Sequence, residues 1–508
     1  MRCLSVLSEA SVSGRATKSE LKMVKDKICI LKQFWVAMGI VFNIVAVGVT
    51  LSFPSSLLPA LRSPDSPIQV DLNTASLLAS SPGIASPIGF IAASVLMDAV
   101  GRRAAHALSL LPSAAGWGLI YWAPSVSWLI LGRMLCGLTA GASVTLGSVI
   151  IGEYSSPKYR GVFLSMKTAA VSAGAITLHA FGHHFHWQTV ALIALGPVFL
   201  SICNTLTWSE SPSWYAAKGR YAECETAFYA LRGTDEDAVR ECEALVHAQK
   251  KRISQIPETV TCGSTVAGFF KKFTRKDFLM PVFVVTIAFL MSEACGRHAF
   301  PAFALDFISD ISGDPARTFL YTMVMDGITT TSSLFALYLN KAVKRRTLIF
   351  FSGISSVVIL LTVSSYLYLV NWGVISRERS WVPLSLMVVY FVVSNLGATS
   401  IPLMLLGELV PLEHRAVGTA VCGVTVSINL VSVMQATPML MATIGTHGTL
   451  LCFASVMVVT LLILYLTLPE THGRTLQEIE EFFKYGKTVD EKLKLDDVEV
   501  KTKMLREV

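Results

Sequence analysis

Long apolar runs constrain the fold of this chain more than any other feature. Twelve of them stand out, at roughly 34–60, 73–97, 104–123, 127–151, 162–182, 187–208, 278–300, 317–339, 347–370, 381–406, 417–440 and 447–468. A helix needs about 20 apolar residues to cross the hydrocarbon of a bilayer, and each such run is long enough. The expected fold class is therefore an all-α membrane protein with twelve transmembrane helices. Gly and Pro interrupt several runs, which membrane helices tolerate because neighbouring helices satisfy the freed backbone groups. The limits of the seventh and eighth spans, around 300–316, are the least sharply marked. Only 15% of the 508 residues are charged, where soluble domains carry about a quarter.

The loops supply an independent check. With alternate loops assigned to alternate sides, about 35 of the 42 Lys and Arg residues fall on one face, as the positive-inside rule requires of the cytoplasmic one. Arg62, Arg317, Arg377 and Arg379 remain opposite. Both termini are expected in the cytoplasm. The net charge of +7 matches an anionic inner leaflet and calls for no nucleic-acid partner. Five of the ten Cys fall in spans and five in cytoplasmic segments, so no disulfide is expected. The polar, basic first thirty residues lack the apolar core of a signal peptide, which leaves membrane insertion to the first span.

The chain is also internally duplicated. Gly152-Glu153 leads through Pro157 to Arg160-Gly161, and Gly407-Glu408 leads through Pro411 to Arg415 and Gly418. Each Glu follows a long apolar run and precedes its Arg by seven residues. Asp98-Ala-Val-Gly101-Arg102-Arg103 has a looser second copy in which Asn340 and Val343 replace the Asp and Gly. Repeated charged motifs in two hydropathic halves mark a duplicated transporter. The expected organisation is a cytoplasmic tail (1–33), a six-helix bundle (34–208), a cytoplasmic helical linker (209–277), a second, pseudo-symmetric six-helix bundle (278–468) and a cytoplasmic C-terminal tail (469–508).

These motifs resemble those of the sugar porter family of the major facilitator superfamily, over about 34–484. They are Asp98-x-x-Gly101-Arg102-Arg103, Gly132-Arg133-x-x-x-Gly137-x-x-x-Gly141, Glu153 with Arg160-Gly161, Ser209-Glu210-Ser211-Pro212, Gly407-Glu408 with Arg415, and Pro469-Glu470-Thr471-x-Gly473-Arg474. The overall look is most similar to the family's insect facilitated trehalose transporter-like members. The resemblance implies alternating-access transport of trehalose or a hexose, facilitated or proton-coupled, at the plasma membrane, with no enzymatic chemistry and no cofactor. It also implies that Arg102, Glu153, Arg160, Glu210, Glu408 and Arg415 close the cytoplasmic side when the outside is open. The same charges in a merely structural role would anchor helix ends. Arg133 lies inside a span, where an unpaired charge is costly, and Glu153 is a plausible partner.

The pocket departs from the family pattern. The expected Gln-Gln…Ser-Gly-x-Asn run of span seven is here Ser292-Glu293-Ala294-Cys295-Gly296-Arg297-His298. Thr168, beside Lys167, replaces a Gln, Asp326 an Asn, and Leu403 the ring-stacking Trp. The ionisable Lys167, Glu293, Arg297, His298 and Asp326 admit a charged or zwitterionic substrate or proton coupling through Glu293, His298 or Asp326, and a non-transporting sensor of the same fold is a further reading. Glu293 and Arg297, four apart, would face each other on a helix turn and neutralise one another. Asp326 has no sequence-local partner, and Asn43 suits either a ligand or a helix–helix hydrogen bond. His183, His184 and His186 lack a nearby carboxylate and suit a titrating loop better than a metal site.

Overall fold

The computed structural model describes residues 18–254, 276–376, 381–409 and 415–472, with Ile479, Phe482 and Phe483. Among these residues, nine helical stretches are long and apolar enough to cross a membrane. One of them, Gly418–Thr467, holds two helices, and Arg102–Tyr121 and Thr318–Ala342, where two further spans were expected, are helices that fall below that apolarity.

The first half comprises α1 (Lys18–Ser52) with its short continuation α2 (Pro54–Arg62), α3 (Leu72–Val100), α4 (Arg102–Tyr121), α5 (Val126–Tyr154), α6 (Pro157–His184) and α7 (Trp187–Leu206). Asp71 starts α3 by accepting a bond from the Thr74 amide at 3.2 Å, and its bonds from Thr74 hold its carboxyl below the ordinary range. Then come α8 (Pro212–Ala217), α9 (Tyr221–Arg232) and α10 (Glu236–Ser254) in the linker. The second half has α11 (Lys276–Ala294), α12 (Ala299–Ala302), α13 (Ala304–Ser312), α14 (Thr318–Ala342), α15 (Arg345–Asn371), α16 (Trp381–Leu396), α17 (Ile401–Glu408) and α18 (Arg415–Thr467).

The two halves repeat one packing scheme. In the first, α1 lies against α6, α3 against α5, and α4 against α7. In the second, α11 lies against α18, α14 against α16, and α15 against α18. The two contacts on α18 fall on different parts of it: Thr425 and Asn429 reach Thr286 of α11, whereas Leu461 faces Gly353 of α15. Between those parts Gly445 adopts φ 70° and ψ 177°, a conformation open to a residue without Cβ, and the chain turns from one span into the next.

Small residues let the helices approach closely. A Cβ on Gly137 of α5 would overlap the Pro82 backbone of α3, so these backbones are in contact. The outer surface stays apolar: Phe199, Leu462 and Leu466 are 65%, 63% and 76% exposed, as lipid-facing side chains are. The linker helices rest on the first half, where Lys32 and Gln33 donate to the carbonyls of Ala230 and Leu231 at 2.9 Å each.

Candidate functional site

The halves meet along α3 with α18 and along α6 with α14, and between them lies a cavity of about 1250 Å³. Both halves line it. One end is bounded by the duplicated charges, Arg102, Glu153 and Arg160 from the first half and Arg345 and Glu408 from the second. The cavity runs from there past Lys167, Thr168, Arg297 and His298 to Asp326 and Phe307.

At the motif end each half binds its own charges. The Arg102 guanidinium donates to Glu153 at 2.8–3.1 Å, and the Ser211 hydroxyl donates to the same carboxylate. Glu210 accepts from the backbone amides of Arg102 (2.7 Å) and Arg103 (3.2 Å), so a carboxylate sits where the α4 N-terminus is electropositive. A Cβ on Gly101 would collide with that carboxylate. Arg103 donates to the Leu206 carbonyl at 2.6 Å, and exposed Asp98 stands 3.9 Å from Arg102.

The second half mirrors this residue by residue. Arg345 lies 3.4 Å from Glu408, Thr471 donates to Glu408 at 2.7 Å, and Glu470 accepts from the amides of Arg345 (3.0 Å) and Arg346 (3.1 Å). Arg345 therefore corresponds to Arg102, and its bond to the Asn340 carbonyl matches that of Arg102 to Met97. This corrects the expected register by one residue: Lys341 and Lys344, rather than Asn340 and Val343, stand where the first copy has Asp98 and Gly101. Among the described residues no ion pair joins the halves at this end. Arg160 donates to the Gly152 carbonyl at 2.8 Å while its Nε is buried without a hydrogen-bond partner. The Arg415 side chain, Pro411, Gly473 and Arg474 lie outside the described residues.

The opposite end is where the halves are joined. His179 of α6 places Nδ1 2.5 Å from the Asp326 carboxylate of α14 and Nε2 3.1 Å from the Pro301 carbonyl. Arg62 reaches Asp306 at 3.4 Å, and the His183 ring stacks on Phe319 with centroids 3.9 Å apart. Both ring nitrogens of His179 thus face oxygen acceptors carried by the second half. The partner that the sequence did not reveal for Asp326 is thus on the other half. His179 belongs to no motif; a scan for ionisable residues inside spans would have found it.

Other expectations are redistributed. Glu293 does not form a hydrogen-bonded pair with Arg297, because α11 ends at Ala294 and Gly296, with φ 69°, redirects the chain. Its fully buried carboxylate takes the His298 Nδ1 at 2.8 and 2.9 Å instead, while Arg297 donates to the Thr399 carbonyl at 3.4 Å. Ser292 is buried beside it and does not line the cavity, whereas Thr168, His298, Asp326 and Leu403 do. Asn43 also lies away from the cavity, donating to Ser143 at 2.9 Å between helices. Arg133 has no bond to Glu153; it is buried, donates to the carbonyls of Leu78, Ala79 and Thr50, and lies 5.9 Å from the Phe53 ring. Asn395, Ser148, Thr329 and Ser333 line the cavity without having been singled out, and Phe90, Phe300 and Phe391 supply ring faces.

Comparison with known proteins agrees with this architecture. Residues 29–483 match the family described as Sugar (and other) transporter. The facilitated trehalose transporter Tret1 of Apis mellifera ligustica is 26% identical over 458 residues, covering 89% of this chain and 88% of that one. Its Bombyx mori counterpart is 25% identical over 467 residues, covering 90% and 88%. Among solved structures, the inward open conformation of the xylose transporter XylE from E. coli superimposes with a TM-score of 0.70 at 15% identity, covering 89% of this chain and 99% of that one. The XylE proton:xylose symporter bound to 6-bromo-6-deoxy-D-glucose gives a TM-score of 0.69 at 16% identity, covering 90% and 99%.

Proposed function

Because this chain belongs to the sugar (and other) transporter family, we propose that it carries a sugar, of the trehalose or hexose class, through the central cavity by alternating access. It is a multi-pass integral membrane protein of the major facilitator fold. The observation that carries the proposal is the asymmetry of the cavity, whose walls come from both halves and whose ion pairs between the halves, among the described residues, lie at the end opposite the motifs.

The motif end is the cytoplasmic end in this reading, following the bias of Lys and Arg, and the membrane is the plasma membrane. The conformation is then the inward-facing one. To open outward, the His179–Asp326 and Arg62–Asp306 contacts part, and the motif end closes as its charges change partners. Arg102, Glu153 and Arg160 then meet Glu408 and Arg415 across the interface, while Glu210 and Glu470 keep their helix-capping bonds. A partly desolvated pair worth about 1–3 kcal/mol biases two states yet can break on every cycle. Hydroxyls of Ser148, Thr329 and Ser333, the Asn395 amide and the Phe rings offer a sugar the polar edges and apolar faces it needs. The His179–Asp326 pair gives the cycle a titratable element to couple to.

The test is radiolabelled uptake of trehalose and glucose by cells expressing the chain, with surface expression measured in parallel. Saturable uptake is expected, falling about tenfold or more in Glu153→Gln, in line with the loss of one charge-assisted contact. Absence of uptake by surface-expressed protein overturns the proposal, and unaltered uptake by the variant removes the gating role of Glu153.

A further inference from the structure

At mid-depth the cavity is lined by two cations from opposite halves. Lys167 of α6 is buried at 6% exposure and donates to the Val144 carbonyl at 2.9 Å and the Ser148 hydroxyl at 2.8 Å. The guanidinium of Arg297, in the break after α11, makes one hydrogen bond among the described residues, the 3.4 Å contact with the Thr399 carbonyl. Neither forms an ion pair with a described acid, and each lies within reach of the other's charge. An ammonium has three donors and a guanidinium five, so several N–H groups remain for something in the cavity.

The surrounding acids have other partners. Glu153 and Glu408 hold Arg102 and Arg345. Asp326 is bound by His179. Glu293 accepts from His298 and attracts Arg297 from behind, which offsets one of the two positive charges and leaves the other. A charged Lys in mid-membrane costs about 2.5–3.5 kcal/mol, and a second cation facing it adds to that cost. A carboxylate between the two relieves it, accepting two parallel bonds from the guanidinium and one from the ammonium.

We propose that Lys167 and Arg297 form an anion subsite in the central cavity, and that the solute it selects is a sugar acid of the hexuronate class. This rests on the sugar-transport reading: the hydroxyls meet the polar wall of the cavity while the carboxylate lies between the cations. It gives a role to the two cations that stand beside the positions where Thr168 and Ser292-Glu293 replace the amides expected of the family.

The experiment reconstitutes the full chain in proteoliposomes and measures uptake of radiolabelled D-glucuronate, D-glucose and trehalose. Saturable glucuronate uptake, inhibited by excess unlabelled glucuronate, is expected. The ratio of glucuronate to glucose uptake should fall about tenfold in Lys167→Met, as the loss of one charge-assisted bond predicts, and be retained in Lys167→Arg. Should Lys167→Met fail to fold, glucuronate and glucose titrations of the purified wild-type chain replace it, with glucuronate expected to raise the melting temperature at about tenfold lower concentration. Glucose or trehalose uptake with no glucuronate uptake and no competition overturns the anion subsite and leaves the sugar reading standing. A ratio unchanged in Lys167→Met overturns the assignment of Lys167. Failure of glucose and trehalose to enter vesicles that contain the protein overturns the trehalose-or-hexose reading, and failure of glucuronate as well overturns the inference with it.

Discussion

His179 touches oxygen acceptors with both of its ring nitrogens, and its contact with the Asp326 carboxylate is one of the links between the halves. Replacing Asp326 by Asn keeps the size of the side chain and removes the acid. The expected outcome is a weaker closure of the end opposite the motifs and an uptake rate that no longer responds to external pH. Uptake measured across a series of external pH values checks it, and an unchanged profile excludes a coupling role. At this scale the motif charges were legible because repetition at two span ends marks them without any knowledge of depth or angle. The partners were not. Arg133 is satisfied by three backbone carbonyls, which carry no sequence signature. Glu293 turns to His298 because a helix ends one residue later, and spacing rules assume that it continues.

Helices in this protein are held close by positions where a side chain is missing. Gly137 of α5 faces the Pro82 backbone of α3, with no room for a Cβ. Gly137→Leu is therefore expected to push these two helices apart, at a cost of about 1–3 kcal/mol or more, typical of overpacking. A lower melting temperature and a smaller monodisperse peak in detergent would register it; unchanged values would contradict the packing described. Apolar length marked nine of the helical stretches, and the gap between the last two expected spans falls at Gly445. The interruption of the seventh span after Ala294 did not follow from apolar length, because apolar residues continue on both sides of the break while the backbone changes direction at Gly296. Composition reports the solvent a segment lies in, and only weakly its path.

Across the whole molecule, the bonds that close each half are made within that half. Glu210 and Ser211, directly after the sixth span, fasten α7 to the start of α4 and the end of α5. Glu470 and Thr471, directly after the twelfth, do the same for α18, α15 and α17. The two-bundle plan was legible because the motifs repeat; their alignment was off by one residue because Arg345-Arg346, and not the preceding Asn, is the true anchor of the second copy. The linker helices α8 and α9 also pack against the first half, so every bond just described would survive a cut of the chain after residue 254. A gene cut there would encode two polypeptides, each able to latch itself shut. Co-expressed, residues 1–254 and 276–508 are expected to find one another in the membrane and restore uptake, as two separately made leaves of a door still hang on one frame. Uptake from the fragment pair and from either fragment alone measures this, and silence from the pair when both fragments reach the membrane would mean that the covalent tether is part of the machine.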